Sequence, residues 1–126
     1  MNVLLDTKIL LWWLADDPAL PPRARDAIAD PDTSAVISAA TMWEIAIKKA
    51  AGRLDAPDDL LAVLADGAFD SLAITAGHAI AAARLPSHHA DPFDRMLIAQ
   101  ARAEQLQIAT VDRRFGDYDV GLLAHG

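Results

Sequence analysis

The chain has 126 residues, 53% of them hydrophobic, and a formal net charge of −7. This length and composition predict a single folded domain over residues 1–126 and exclude a disordered tail. Cysteine is absent, which excludes disulfides, thiolate zinc sites and a cysteine nucleophile. Because we find no basic leader and no uncharged apolar run of about 18 residues, we expect a cytoplasmic protein with no membrane partner.

Short strands alternate with helices along the chain. In the first half we predict strands at 2–6 and 34–38, and helices at 7–15, 22–29, 41–51 and from Pro57 to near Gly67. In the second half we predict helices at 76–84 and 92–105, and strands at 71–74, 107–111 and 119–123. This alternation predicts the α/β class, with a mostly parallel sheet that helices cover on both faces.

Four carboxylates stand beside these elements, and we expect all of them at one edge of the sheet. Asp6 and Asp112 close two strands, whereas Glu44 and Asp94 lie near the starts of helices that begin at the same edge. Open α/β sheets bind ligands at the carboxyl ends of their strands, where the strand order switches. Because converging carboxylates repel one another, such a site requires divalent cations or bound protons.

Each acid taken alone also has an ordinary structural explanation. Asp6 and Asp112 suit helix or turn caps, and Asp94 suits the dipole of a first helical turn. Glu44 is one of only two glutamates in the chain, and its spacing allows a salt bridge to Lys48 at i+4. The coincidence of four acids at one edge favours a joint site.

The segment DPFD (91–94) contains two acids that compete for one role. Asp91 precedes a proline that suits the first helical position, so we interpret Asp91 as the helix cap or as an outer support of the site. Asp94, three residues later, is then the ligand. Arg95 and Arg113 adjoin the proposed ligands in sequence and are candidates for contacts with phosphate.

Histidines and tryptophans suggest further sites, which we interpret as structural. His88 and His89 are interpreted as loop residues, because adjacent residues rarely bind one ion and no HExxH spacing or cysteine accompanies them. The tryptophans at 12, 13 and 43 are interpreted as core or interface residues, in preference to base-stacking platforms.

An acidic cluster of this kind suits Mg²⁺ or Mn²⁺, which prefer oxygen ligands. The sequence has no GxSxG, P-loop or GxGxxG motif, so covalent catalysis is poorly supported. The pattern favours metal-assisted hydrolysis of a phosphodiester, with Asp6 and Asp94 as principal ligands and Glu44 and Asp112 completing the cage. Bound cations would offset part of the net negative charge, which otherwise argues against a nucleic-acid partner.

Four stretches, which together span nearly the whole chain in order, resemble the PIN-domain ribonucleases of the VapC toxin type. They are LLDTKILLWWL, VISAATMWEIAIKKAAGRL, LPSHHADPFDRMLIAQA and TVDRRF. By this resemblance the acidic residues of the family carry over to Asp6, Glu44, Asp94 and Asp112. The family often has an asparagine near the last position, with an aspartate a few residues later, whereas TVDRRF offers Asp112 alone.

The resemblance implies a PIN-like three-layer α/β/α sandwich and a magnesium-dependent endoribonuclease, with Mn²⁺ as a substitute. It implies a homodimeric toxin held inactive by a cognate VapB-like antitoxin, and operator DNA bound only through the antitoxin complex. A small hydroxyl of the family carries over to Ser38 or Thr41. Two other hypotheses remain open: a catalytically silent PIN-like binding module, and a metal-dependent DNA nuclease of related fold.

Overall fold

Strands and helices alternate along residues 1–123, which are the residues that the computed structural model describes. The strands are β1 (Asn2–Leu5), β2 (Ser34–Ser38), β3 (Asp70–Leu72) and β4 (Gln107–Ala109). The helices are α1 (Thr7–Leu14), α2 (Pro22–Ala29), α3 (Ala39–Ala50), α4 (Leu60–Asp66), α5 (Ala76–Arg84) and α6 (Pro92–Glu104), followed by a 3₁₀ helix at Arg113–Asp117. Residues 124–126, which the predicted domain also includes, lie outside the described residues.

The four strands pair in parallel in the order β3-β2-β1-β4. β1 therefore lies between its neighbour in sequence, β2, and the distant β4, with Leu4 opposite both Val36 and Ile108. The chain extends the sheet in one direction as far as β3 and then returns to the other side of β1. The strand order thus switches between β1 and β4, which is where an open α/β sheet forms a crevice.

Helices cover both faces of the sheet, because successive strand residues point to opposite faces. On one face, Leu4 and Ile108 belong to a core cluster that includes Ile98 of α6 and other residues of α5 and α6. On the opposite face, Val3 and Leu5 pack in a cluster with residues of α1, α2 and α4. This arrangement confirms the predicted α/β class and the three-layer α/β/α sandwich.

Two helix starts differ from the prediction for local reasons. α3 begins at Ala39, two residues early, because the Ser38 hydroxyl accepts the backbone N–H of Ala40 at 3.0 Å and caps the helix. The prediction that α3 stops at Gly52 is confirmed, because Gly52 follows the helix with a φ of +70°, a conformation that favours glycine. α4 begins at Leu60 rather than at Pro57, after Asp59 as its N-cap.

The predicted last strand at 119–123 is wrong. Only a single parallel bridge, between Ile108 and Leu122, joins this segment to the sheet. The backbone N–H of Val120 donates to the carbonyl of Tyr118 at 2.9 Å, so the segment is still turning where a strand would begin. Along the described residues, no helix combines the length and apolarity that crossing a bilayer requires.

Candidate active site

A cleft of about 560 Å³ opens beside the acids that follow β1 and β4, at the carboxyl edge of the sheet. All four acids predicted to meet there contribute to its lining, and Asp91 joins them. Basic side chains complete the polar part of the wall: Lys8, Lys48, Arg53 and Arg114. The topology therefore brings residues together from both ends of the chain.

Asp6 connects the end of β1 to the start of α1. Its carboxylate accepts the backbone N–H of Ile9 at 2.8 Å and so caps α1. Capping is the ordinary structural role that the sequence also allowed for Asp6. The residue is only 6% exposed. Burial raises the pKa of Asp6 to about 6. A hydrogen bond from Thr110 lowers this pKa in part, whereas the charges of the nearby Asp112 and Glu44 raise it further. The Asp6 side chain thus both caps α1 and lines the cleft.

Glu44 lies on the second turn of α3 and faces α1 across the cleft. One carboxylate oxygen accepts the Thr7 hydroxyl at 2.5 Å, and the other accepts the Lys48 ammonium at 2.5 Å. The salt bridge at i+4, considered as an alternative role, is therefore present. It does not remove Glu44 from the site, because Glu44 and Lys48 both line the cleft.

Asp94 lies in the first turn of α6, which Asp91 caps. The Asp91 carboxylate accepts the backbone N–H groups of Phe93 at 2.8 Å and of Asp94 at 3.2 Å. Burial raises the pKa of Asp94 to about 7, and the charge of Asp91 adds to the rise. Keeping Asp94 ionised is thus unfavourable unless a positive charge lies close by.

Asp112 caps the 3₁₀ helix and is held by Arg114. It accepts the backbone N–H of Arg114 at 2.9 Å, and the guanidinium donates to its two oxygens at 3.1 and 2.9 Å. This hydrogen bonding holds the pKa of Asp112 below its ordinary value. Asp112 is therefore ionised under conditions in which Asp6 and Asp94 can still hold protons.

His89 is a residue of this site that the sequence interpretation missed. Although it lies in a loop, it is only 3% exposed. Its Nε2 atom lies 2.8 Å from Oδ2 of Asp94 and 3.2 Å from Oδ2 of Asp112. The only available signal was its position two residues before the cap of α6, close enough to fold back over the first turn.

The two arginines proposed for phosphate contacts are placed differently from that prediction. The Arg95 guanidinium donates to five backbone carbonyls at the end of α5 and in the following loop. Arg113 is exposed, and neither residue is among those that line the cleft. Arg114 occupies the position in the cleft that Arg113 was expected to take.

The two hydroxyls carried over from the resemblance lie in the core. Ser38 is fully buried and donates to Oε1 of Gln100 at 2.5 Å. Thr41 is 1% exposed, and its hydroxyl has no hydrogen-bond partner among residues 1–123. The hydroxyls that touch acids of the cleft belong instead to Thr7, which donates to Glu44, and to Thr110, which bonds to Asp6.

The donor set of the cleft fits a hard divalent cation. Carboxylate oxygens dominate it, and no thiolate is available to favour a softer metal. One oxygen of Asp94 and one of Asp112 lie within 4.8 Å of each other. A bound cation would also relieve the repulsion that contributes to the raised pKa values of Asp6 and Asp94.

Comparisons with known proteins agree with this architecture. The family model described as PIN domain matches residues 3–121. Ribonuclease VapC22 of Mycobacterium tuberculosis (strain ATCC 25618 / H37Rv) is 33% identical over 116 residues, which cover 90% of this chain and 88% of that protein.

Two solved structures share the fold at low identity. One is VapBC2 from Rickettsia felis bound to a DNA fragment from their promoter, with a TM-score of 0.72, 14% identity and 98% of each chain covered. The other is DNA-bound VapBC from Salmonella typhimurium, with a TM-score of 0.68, 20% identity, and 97% of this chain and 95% of that chain covered. By its family match, its relative and its fold, the chain belongs to the PIN-domain family, within the VapC group.

Proposed function

We propose that this chain is the toxin of a toxin–antitoxin pair and hydrolyses phosphodiester bonds in RNA as a divalent-metal-dependent endoribonuclease. The observation that carries the proposal is the cleft in which Asp6, Glu44, Asp94 and Asp112 meet. Gathering these acids raises the pKa of Asp6 and Asp94, a cost that a bound cation would offset. The similarity to a protein named as a ribonuclease supports RNA as the substrate.

Mg²⁺, or Mn²⁺ in its place, is the proposed cofactor. Asp6 and Asp94 would be the principal ligands, with Glu44 and Asp112 completing the cage. When bound, such a cation supplies Lewis-acid chemistry, lowering the pKa of a water molecule and offsetting the negative charge that gathers on the phosphate.

The side chains of the cleft have separate tasks in this proposal. The Thr7 hydroxyl and the Lys48 ammonium hold the two oxygens of Glu44 in fixed directions. Arg114 fixes Asp112 and presents a positive charge at the mouth of the cleft, where a phosphate would arrive. Asp94, whose pKa is about 7 in the metal-free cleft, would release its proton when a cation binds. We therefore propose Lys48 and Arg114 as the phosphate contacts, in place of Arg95 and Arg113.

The proposal is tested by incubating purified protein with structured RNA in Mg²⁺, in Mn²⁺ and in EDTA. We expect cleavage only with a metal, and its loss in Asp6→Asn and in Asp94→Asn, because each change removes a ligand charge while keeping the side-chain shape. The matched control is Asp26→Asn, since Asp26 is an exposed acid on α2, away from the cleft. It should cleave as well as the parent.

Three results would contradict the proposal. Cleavage by the Asp6 and Asp94 variants at the parent rate would assign the activity to another site or to a contaminant. Preferential cleavage of single-stranded DNA in a parallel assay would indicate a DNA nuclease. No cleavage of RNA or DNA, with normal folding, would favour a silent binding module.

We further propose that the chain forms a homodimer and is inhibited by a cognate VapB-like antitoxin. The similar structures of VapBC from Rickettsia felis and Salmonella typhimurium support this partner. Both contain bound DNA, which supports binding of operator DNA by the complex, with the antitoxin making the contacts.

A further inference from the structure

One buried imidazole nitrogen faces two acids of the cleft. Nε2 of His89 lies 3.2 Å from Oδ2 of Asp112 and 2.8 Å from Oδ2 of Asp94. Asp94 and Asp112 come from different elements, the first turn of α6 and the cap of the 3₁₀ helix. His89 is therefore the contact that ties these two carboxylates to each other.

The other ring nitrogen determines which atom carries the proton. Nδ1 of His89 accepts the backbone N–H of Asp91 at 3.2 Å. A nitrogen that accepts a hydrogen bond has no proton of its own, so the neutral ring carries its proton on Nε2. The atom that faces Asp94 and Asp112 is thus a donor, and a protonated nitrogen cannot bind a metal ion. This tautomer makes His89 a support for the ligands and excludes it from the ligand set.

Contacts of its backbone and of its ring hold His89 in place on the sides that face away from the acids. The backbone N–H of His89 donates to the Tyr118 hydroxyl at 2.8 Å, and that hydroxyl donates to the carbonyl of Pro86 at 2.7 Å. Phe115 packs edge-on against the imidazole, with ring centroids 5.9 Å apart. His89 is 3% exposed and is not among the residues that line the cleft. It therefore acts on the acids and does not reach a substrate in the cleft.

We propose that His89 is a positioning residue that holds Asp94 and Asp112 in the arrangement needed to bind the cation. The inference rests on the proposed function, because it assigns a role within the same metal site. Without the N–H of His89, Asp94 loses a polar contact on its buried side, and Asp112 keeps its bonds with the backbone N–H and the exposed guanidinium of Arg114. Outer partners of metal ligands commonly change metal affinity by about 10- to 100-fold.

The test compares two substitutions that differ in a single property. His89→Gln and His89→Met have side chains of similar length and volume, and both lose the acceptor for the N–H of Asp91. Only glutamine retains an N–H donor near the position of Nε2. Binding of Mn²⁺ without RNA is measured by calorimetry for the parent and both variants, after thermal unfolding shows whether each variant is folded.

We expect His89→Gln to bind Mn²⁺ within about 3-fold of the parent, and His89→Met to bind about 10- to 100-fold more weakly. The RNA cleavage rate of His89→Met should be closer to that of the parent at saturating Mn²⁺ than at limiting Mn²⁺. The reason is that the variant binds Mn²⁺ more weakly but keeps the metal ligands. Equal affinity in the two variants would overturn the proposal. Metal binding by the parent that Asp94→Asn leaves unchanged would instead overturn the proposed ligand set, so the two failures are distinguishable.

A measurement on the unchanged protein applies whether or not the variants fold. Nitrogen-15 NMR of the His89 ring should show a protonated Nε2 and an unprotonated Nδ1, both before and after Mg²⁺ is added. Loss of the Nε2 proton on adding Mg²⁺ would mean that His89 binds the metal directly and would overturn the positioning role. A proton on Nδ1 at the start would overturn the tautomer on which the inference depends.

Discussion

The carboxylates of the cleft differ in how firmly they hold protons, although they are chemically alike. Burial raises the pKa of Asp6 to about 6 and that of Asp94 to about 7, whereas Arg114 holds the pKa of Asp112 below its ordinary value. At pH values between the pKa of Asp112 and that of Asp94, the metal-free cleft can reduce its negative charge by taking up protons. Metal ions and protons therefore compete for Asp6 and Asp94, so metal affinity should fall as the pH falls below about 7.

The raised pKa of Asp6 predicts that Asp6→Asn stabilises the metal-free protein at high pH. The folded parent holds this proton more tightly than the unfolded chain, whose Asp has a pKa of 3.8. The parent therefore loses stability as the pH rises from about 4 through about 6, while the variant has no proton to lose at this position and gains no charge. Asparagine is as good a helix cap as aspartate. We expect a gain of about 1–3 kcal/mol in the free energy of unfolding at pH 8.

Urea unfolding in EDTA at pH 4 and at pH 8 measures this effect. The difference between Asp6→Asn and the parent should be small at pH 4 and largest at pH 8. Asp26→Asn serves as the control and should track the parent at both values. A destabilised Asp6→Asn at pH 8 would show that the charge of Asp6 is already compensated in the metal-free cleft.

Sequence reasoning predicted the acids of the site better than the groups that hold them. Strand and helix directions were enough to bring Asp6 and Asp94 to one edge, because those directions follow from hydrophobic pattern and capping. His89 and Arg95 could not be assigned in this way, since their partners depend on how the loop after α5 folds back. Charge and sequence proximity to an acid do not reveal whether an arginine faces the solvent or a row of carbonyls.

At the level of the elements, Arg95 joins the end of α5 to the loop that carries His89. Its guanidinium donates to the carbonyls of Ala82 and Leu85 at 2.9 Å each, and to that of His89 at 3.2 Å. The last carbonyls of a helix lack partners within the helix. Arg95 satisfies them from a neighbouring helix, which fixes the position of α5 against α6 and of the loop against both.

We predict that Arg95→Lys lowers the free energy of unfolding by about 1–3 kcal/mol, because an ammonium cannot reach the fan of carbonyls that a guanidinium spans. Urea unfolding measures the change. The control is Arg113→Lys, an exposed position at which we expect a change within about 0.5 kcal/mol. If Arg95→Lys instead raised the KM for RNA at unchanged stability, Arg95 would be the phosphate contact first suggested by its sequence position.

The elements themselves were predictable where a local signal determined them. Gly52 and Asp91 mark a helix end and a helix start through backbone conformation and capping, and both lie where expected. The segment 119–123 has the apolar residues of a strand, but the turn at Tyr118 leaves it only one bridge to β4. Whether such a short segment pairs depends on the edge available to it, which its own residues do not encode.

For the molecule as a whole, exposed apolar side chains on α3 and α4 support the proposed assemblies. Trp43 is 61% exposed, Ile47 43% and Leu61 77%. Neighbouring apolar side chains in water are typical of surfaces that another protein covers.

We predict that the purified chain has a mass in solution of about twice 13.5 kDa by light scattering. Co-expressed with its antitoxin, it should elute as a larger complex whose RNA cleavage is suppressed. Removing the antitoxin by denaturation and refolding should restore cleavage. A chain that is monomeric at every concentration would contradict the homodimer, and a complex that cleaves RNA as fast as the free chain would contradict inhibition.

The position of β4 beside β1 also determines when the protein can first act. Asp6 and β1 are made more than a hundred residues before β4 and Asp112. A growing chain therefore has no complete cleft until residue 112 has been synthesised and has left the exit tunnel. In the proposed function, a message that ends before β4 therefore yields a fragment with no complete site for cleaving RNA.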